Sequence, residues 1–196
     1  MVTHSGVRIE PAHLYGGLYA QAPGIRDLAI GQYRMCRYGG HTNQWWSVLQ
    51  HSIAMHAYLK VLGSPTLLLM EALLHDAHEA ITADVPSSWK PNAMRDLQDE
   101  LDARIHKLYG LPYPLAYEDK RAIKDADHMM LLAEATAFGP PGILSYFDLS
   151  ALDARAQDAV CWVHMRSEKD DPRTLENTWA IDYYLKLFHY LCGEVL

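Results

Sequence analysis

Residues 64–80 read Ser-Pro-Thr-Leu-Leu-Leu-Met-Glu-Ala-Leu-Leu-His-Asp-Ala-His-Glu-Ala. Ser64 is a capping residue, and Pro65 suits a first helical turn because its missing N–H would find no partner there anyway. Leu67, Leu68, Leu69, Met70, Leu73 and Leu74 then cover nearly the whole circumference of a helix. This predicts a helix from Pro65 to about Ala80, buried at the centre of the fold. The apolar run ends at His75, Asp76 and Glu79, which steps of three and four residues set on one helix face. A buried carboxylate is costly without compensation, so a metal ion or a basic partner is expected beside Asp76.

Working outward, the flanking segments also read as helices. Val48, His51, Met55, Tyr58 and Leu62 recur at helical steps between Ser47 and Leu62, and Gly63 closes that helix. A shorter helix is expected from about Arg26 to Cys36, with loops at Gly16-Gly17, Pro23-Gly24 and Gly39-Gly40 on either side. After a polar loop marked by Pro86 and Pro91, Met94, Leu97, Leu101, Ile105 and Leu108 line one face of an amphipathic helix that ends at Gly110. Further helices are predicted near Glu118–Phe138, Ser150–Arg166 and Pro172–Cys192, the last opened by Asp171-Pro172. There is no alternating strand pattern and no internal repeat. The expected fold is all-α, one domain over residues 1–196 with about six or seven helices.

Composition narrows the function. The chain has 196 residues, enough for one domain with a proper core. Cys36, Cys161 and Cys192 form no C-x-x-C pair, which fits a reducing, cytoplasmic setting. Residues 1–10 lack an apolar signal core, and no stretch is long enough for a membrane span. The net charge of −7, with no basic groove studded with aromatic residues, argues against a stable nucleic-acid complex. The eleven histidines are the unusual feature, because imidazole binds metals and titrates near neutrality.

Two more polar residues occupy core-like positions. His51 is in phase with Met55 and Tyr58, and Asp127 with Ile123, Met130 and Leu131. A single inward His or Asp is more often a hydrogen-bonded core residue than a ligand. His51, His75, Asp76 and Asp127 together would require four such accidents. As a set they suit a divalent transition metal and leave positions open for water and a phosphate oxygen. His56, His106, His128, His164 and His189 lack such company and read as surface or core residues.

The order His51…His75-Asp76…Asp127 resembles the signature of the HD-domain phosphohydrolases. The runs Cys36-Arg37-Tyr38-Gly39-Gly40-His41, Ser47–Ser52, Glu71–Ala80, Asp84-Val85-Pro86 to Lys90, and Lys124–Asp127 extend the likeness across roughly Arg26 to Phe138. It is strongest to 5′-deoxynucleotidases and phage dATP triphosphohydrolases. Helices at 150–192 would pack on this HD-domain core. The resemblance implies that His51, His75, Asp76 and Asp127 hold a divalent ion (cobalt, manganese, zinc, nickel or magnesium), with room for a second ion near Glu79 and Asp84. Glu79 would orient or deprotonate the attacking water, and Asp84 would complete the acid–base site or contact the sugar and a second ion. Arg37 would clamp the phosphate with its planar fork, with Arg34 as its competitor. Lys90 would neutralise phosphate charge, and Tyr38 would stack on the base or ribose. Ser88, beside Trp89, stands where relatives often carry proline and would belong to the substrate wall.

The activity so implied is hydrolysis of the 5′ phosphoester of a purine deoxynucleotide. The preferred form is a dATP triphosphohydrolase releasing deoxynucleoside and triphosphate, and the alternative is a 5′-deoxynucleotidase acting on monophosphates. A non-catalytic, metal-containing nucleotide sensor is the rival of a different class. Relatives form dimers or larger rings, so self-association is expected.

Overall fold

The computed structural model describes residues 2–7, 9, 23–175 and 178–195, the side chains of the last two excepted. The expected loop at Gly16-Gly17 lies outside the described residues. Among them are seven α-helices of nine residues or more: α1 (Ile25–Arg34), α2 (Val48–Val61), α3 (Thr66–Leu74), α4 (Asn92–Leu108), α5 (Tyr117–Phe138), α6 (Ala154–Ser167) and α7 (Trp179–Val195). A single helical turn, Glu79–Thr82, follows α3. No sheet is formed among the described residues, so the architecture is an all-α bundle. None of these helices is long and apolar enough to cross a membrane.

The central helix is α2 rather than α3. Every residue from Val48 to Met55 is buried, polar side chains included, whereas Leu67 and Leu69 of α3 are only half-buried. Burying Gln50, His51 and Ser52 is tolerable because each is hydrogen-bonded. Ser47 and Gln50 form a capping box, with Ser47 Oγ accepting from the Gln50 N–H and Gln50 Oε1 accepting from the Ser47 N–H at 2.8 Å. Gln50 Nε2 then donates to Ser167 Oγ at 2.7 Å and ties α2 to the end of α6. The α2 helix packs against α3 on one side and α6 on the other, with α1, α5 and α7 completing its surroundings.

The helix expected to run unbroken from Pro65 to Ala80 is interrupted. Pro65 takes an extended conformation (ψ 157°) and occupies the cap itself. After Leu74 the backbone tightens into three-residue hydrogen bonds, Ala77 N–H to Leu74 O, Glu79 N–H to Asp76 O and Ala80 N–H to Ala77 O. Such a turn nearly eclipses side chains three apart, which brings Glu79 above Asp76. The last helix also starts later than expected, at Trp179 instead of Pro172. Its start is set by Asp170, whose carboxylate accepts the N–H groups of Trp179 and Ala180 at 2.8 and 2.9 Å. Asp171 instead binds the side chain of Arg173.

Glycine is required where α1 crosses the turn after α3. A Cβ at position 31 would stand 2.7 Å from the Ala80 Cβ, too close for any side chain. Replacing Gly31 with Val should therefore destabilise the protein by about 1–3 kcal/mol, the usual cost of overpacking. Urea unfolding measures it, and an unchanged midpoint would show that the two helices can move apart freely.

Candidate metal centre

Three helical segments meet at one point. His51 on α2 is fully buried, His75 caps α3, Asp76 follows it in the tight turn, and Asp127 lies on α5. His51 Nε2 is 3.2 Å from His75 Nε2, 3.2 Å from Asp127 Oδ1 and 3.9 Å from Asp76 Oδ2. His75 Nε2 is 3.2 Å from Asp76 Oδ2. The donor atoms of His51, His75 and Asp76 all lie within 4.8 Å of one another, and Asp127 joins them through His51. Bonds of about 2.1 Å to one ion, at right angles, place neighbouring donors about 3 Å apart. The donor set and its spacing therefore fit a metal ion.

The other ring nitrogens are engaged, as metal-bound histidines require. His75 Nδ1 donates to the Ala72 carbonyl at 3.0 Å. His51 Nδ1 meets Glu134 Oε1 at 2.6 Å. Both arrangements leave the Nε2 lone pair free to face the cluster. The sequence reading missed Glu134. It lies seven residues after Asp127, two helical turns along the same face of α5, and that spacing was the available signal. Glu134 is fully buried and also accepts from Arg37 Nε at 3.0 Å. One carboxylate thus orients both a metal-competent histidine and the expected phosphate clamp.

Arg37 and Tyr38 sit on a loop whose ends are pinned. Cys36 and Ser47 pair in an isolated antiparallel bridge, with Arg37 N–H bonded to Trp46 O at 2.9 Å and Val48 N–H to Met35 O at 3.0 Å. Tyr38 has φ +57°, a sparsely populated conformation for a residue with a side chain. Its hydroxyl donates to Leu131 O at 3.2 Å and lies 3.4 Å from Glu134, which anchors the strained residue on α5. Arg34 is exposed at the end of α1 and lines a different hollow, so of the two arginines only Arg37 reaches the centre. Trp46 is fully buried and packs on Phe138.

A cleft of about 600 Å³ opens over the cluster. Asp76 and Asp127 form its floor, Glu79, Asp84 and Lys90 one wall, and Arg37 and Tyr38 another. Ser88 is exposed and does not line the cleft; its neighbours Ser87 and Trp89 do. Asp127 also lines a second cavity of about 240 Å³, together with His75, Lys120, Lys124 and the carboxylates Glu71, Asp99 and Asp102.

Charge in the cleft is unbalanced. Four carboxylates, Asp76, Glu79, Asp84 and Asp127, face two cations, Arg37 and Lys90. Burial and the charges of Asp76 and Asp84 push the Glu79 carboxyl up to about 9. Burial likewise raises Asp84, against the pull of Arg37. Burial disfavours charge on His75, yet Asp76 and Asp127 push the imidazole up to about 9. The same pairing with His75 holds Asp76 well below the usual carboxylate range despite its burial. A bound cation relieves this arrangement by taking the place of protons on the donors. Glu79 Oε2 and His78 Nε2 are buried without hydrogen-bond partners, and Asp76, His78 and Glu79 form a second group of close donors. The residues present therefore fit a second ion near Glu79 as well.

Behind the centre, two buried pairs bind α3 and its turn to α4. His78 Nδ1 is 2.8 Å from Asp102 Oδ1, and His106 Nε2 is 2.9 Å from Glu71 Oε1.

No family model matches the chain. It is 33% identical over 118 residues to the uncharacterized protein YfdR of Escherichia coli (strain K12), an alignment covering 59% of this chain and 61% of that protein. It is 34% identical over 119 residues to an uncharacterized protein of Rhodobacter capsulatus, covering 57% of this chain and 60% of that one. The chain thus spans about six-tenths of the length of the curated relatives it matches.

Proposed function

We propose that this chain is a metal-dependent phosphohydrolase of the HD-domain type that cleaves the 5′ phosphoester of a purine deoxynucleotide. The observation that carries the reading is the convergence of His51, His75, Asp76 and Asp127 beneath a cleft that also holds Arg37, Glu79 and Lys90. A divalent ion held by those four residues would supply Lewis acidity to a phosphate oxygen and offset the acidic floor. Arg37, braced by Glu134, offers its remaining N–H groups to the phosphate and stabilises the charge that builds up as phosphorus is attacked. Burial and the charges of Asp76 and Asp84 keep a proton on Glu79 in the metal-free site. Glu79 would lose that proton when a cation binds beside it, and the carboxylate then accepts the proton of the attacking water. Lys90 Nζ, 3.5 Å from Glu79 Oε1, sits where it can meet phosphate charge. The water oxygen bonds to phosphorus, the bond from phosphorus to O5′ breaks, and O5′ leaves protonated, with Asp84 in position to supply that proton.

The preferred substrate is dATP, cleaved to deoxynucleoside and triphosphate. Lys120 and Lys124 favour this choice, because they border a neighbouring cavity that meets the cleft at Asp127 and could receive the far end of a longer phosphate chain, against the carboxylates Glu71, Asp99 and Asp102 on the same lining. The second reading, a 5′-deoxynucleotidase, is favoured by the main cleft, where Arg37 and Lys90 provide enough charge for one phosphate only. Incubating the pure protein with dATP or dAMP in cobalt or manganese separates them. Triphosphate released from dATP is expected. Phosphate released from dAMP, with dATP untouched, would establish the second reading instead.

A further inference from the structure

The rim of the cleft carries an aromatic side chain that the proposed chemistry does not use. Trp89 is 79% exposed yet lines the same cleft as Arg37 and Glu79. Its side chain makes no ring contact or hydrogen bond among the described residues. Leaving a large apolar ring in water forgoes the stabilisation that burial would bring. The backbone that carries the ring is nevertheless pinned. Trp89 N–H donates to Pro86 O at 2.8 Å to close a tight turn, and Arg95 on α4 binds the Ser87 carbonyl from outside.

The next residue points the other way. Lys90 is 12% exposed and reaches inward to Glu79. Adjacent residues on one turn therefore mark the two ends of the cleft, a cation at the reacting end and an open indole face at the rim. The other aromatic wall residue, Tyr38, has its hydroxyl committed to Leu131 and Glu134. A molecule filling this space needs an anionic end, a spacer and a flat apolar end, which is the layout of a nucleotide.

We propose that Trp89 is the base platform of the cleft, stacking on the nucleobase of a nucleotide whose phosphate lies at Arg37 and Lys90. The proposal rests on the phosphohydrolase reading and deepens it. Stacking on an open ring face uses area rather than hydrogen-bonded base edges and is tolerant of base identity. Purines should therefore bind more tightly than pyrimidines, with little choice between adenine and guanine.

The test is equilibrium binding to the full chain in manganese, in a Glu79→Gln background that blocks turnover. The probes are dAMP, dGMP, dCMP and 2-deoxyribose 5-phosphate, which lacks a base. Trp89→Ala should weaken dAMP and dGMP by about tenfold or more, Trp89→Phe should recover most of the loss, and 2-deoxyribose 5-phosphate should bind as before. Because Trp89 stands outside the core, neither variant removes packing from the fold. An unchanged dAMP affinity in Trp89→Ala would overturn the proposal, as would an equal loss for 2-deoxyribose 5-phosphate, which would make Trp89 a support for the Lys90 loop. If the parent binds dAMP and Trp89 is indifferent, only the platform fails. If the parent binds none of the four probes and does not bind dATP either, the phosphohydrolase reading fails with it.

Discussion

Glu79→Gln is expected to lower kcat by about 10²–10⁴-fold, the usual contribution of a positioned general base, while the protein keeps the ion at its four-residue centre. Glutamine has the shape of glutamate and cannot accept a proton at neutral pH. An ion held by His51, His75, Asp76 and Asp127 would not require Glu79, which is absent from the His51, His75 and Asp76 donor group. The folded state should not suffer. Glu79 is 4% exposed, its Oε2 has no hydrogen-bond partner, and Asp76 and Asp84 surround it with like charge. Folding near neutral pH must put a proton on this carboxyl, a cost that glutamine does not carry, so the thermal midpoint of the metal-free variant should equal or exceed that of the parent. Stability and activity would then move in opposite directions, as at sites whose residues are retained for chemistry. Steady-state kinetics, metal analysis and thermal unfolding read the three quantities. Undiminished kcat would remove Glu79 from the mechanism. Loss of all bound metal would instead place it in the first ion's shell.

What could be read from the sequence was what short-range periodicity carries. His51, Asp127 and the His75–Glu79 group stand in helical phase with Leu, Ile and Met residues, so their inward direction followed from spacing alone. The meeting of His51, His75, Asp76 and Asp127 at 3.2–3.9 Å agrees with that direction. Long-range pairings left less trace: the seven-residue step from Asp127 sets Glu134 on the same face of α5 but does not say what it meets. Glu134 reaches His51 across 83 positions and Arg37 across 97, and no local pattern announces an ion pair of that separation. Backbone detail was also hidden. An apolar run with good helix formers gives no sign that the hydrogen bonding tightens at His75, because there the needs of the site override propensity. The start of α7 was misplaced for a related reason. Asp171-Pro172 has the chemistry of a helix start, yet Asp170 caps a helix that begins nine residues after it, across an intervening loop. The centrality of α2 was obscured by its buried Gln50, His51, Ser52 and His56, which lower its apparent hydrophobicity.

His51→Ala is expected to abolish metal binding and, with it, turnover by at least about 10³-fold, since the ion's charge stabilisation is worth several kcal/mol. The same change should destabilise the metal-free protein by about 3–5 kcal/mol, because removing one partner of a buried ion pair leaves the other uncompensated. That other partner is Glu134, fully buried and then left with Arg37, the Trp46 side chain and the more distant Tyr38 hydroxyl. Glu134→Gln makes the complementary measurement. It leaves every donor atom of the centre in place but replaces the carboxylate that fixes the His51 ring and the Arg37 fork. Changes to such supporting groups typically cost about 10–100-fold in metal affinity or activity. Glu134→Gln should therefore bind metal more weakly, recover occupancy when excess manganese is supplied, and still show a raised KM because Arg37 has lost its brace. His51→Ala should recover with no amount of metal. If Glu134→Gln held its ion as tightly as the parent and showed the same KM, the carboxylate would be a filler of buried space, and the link between the metal centre and the phosphate clamp would dissolve.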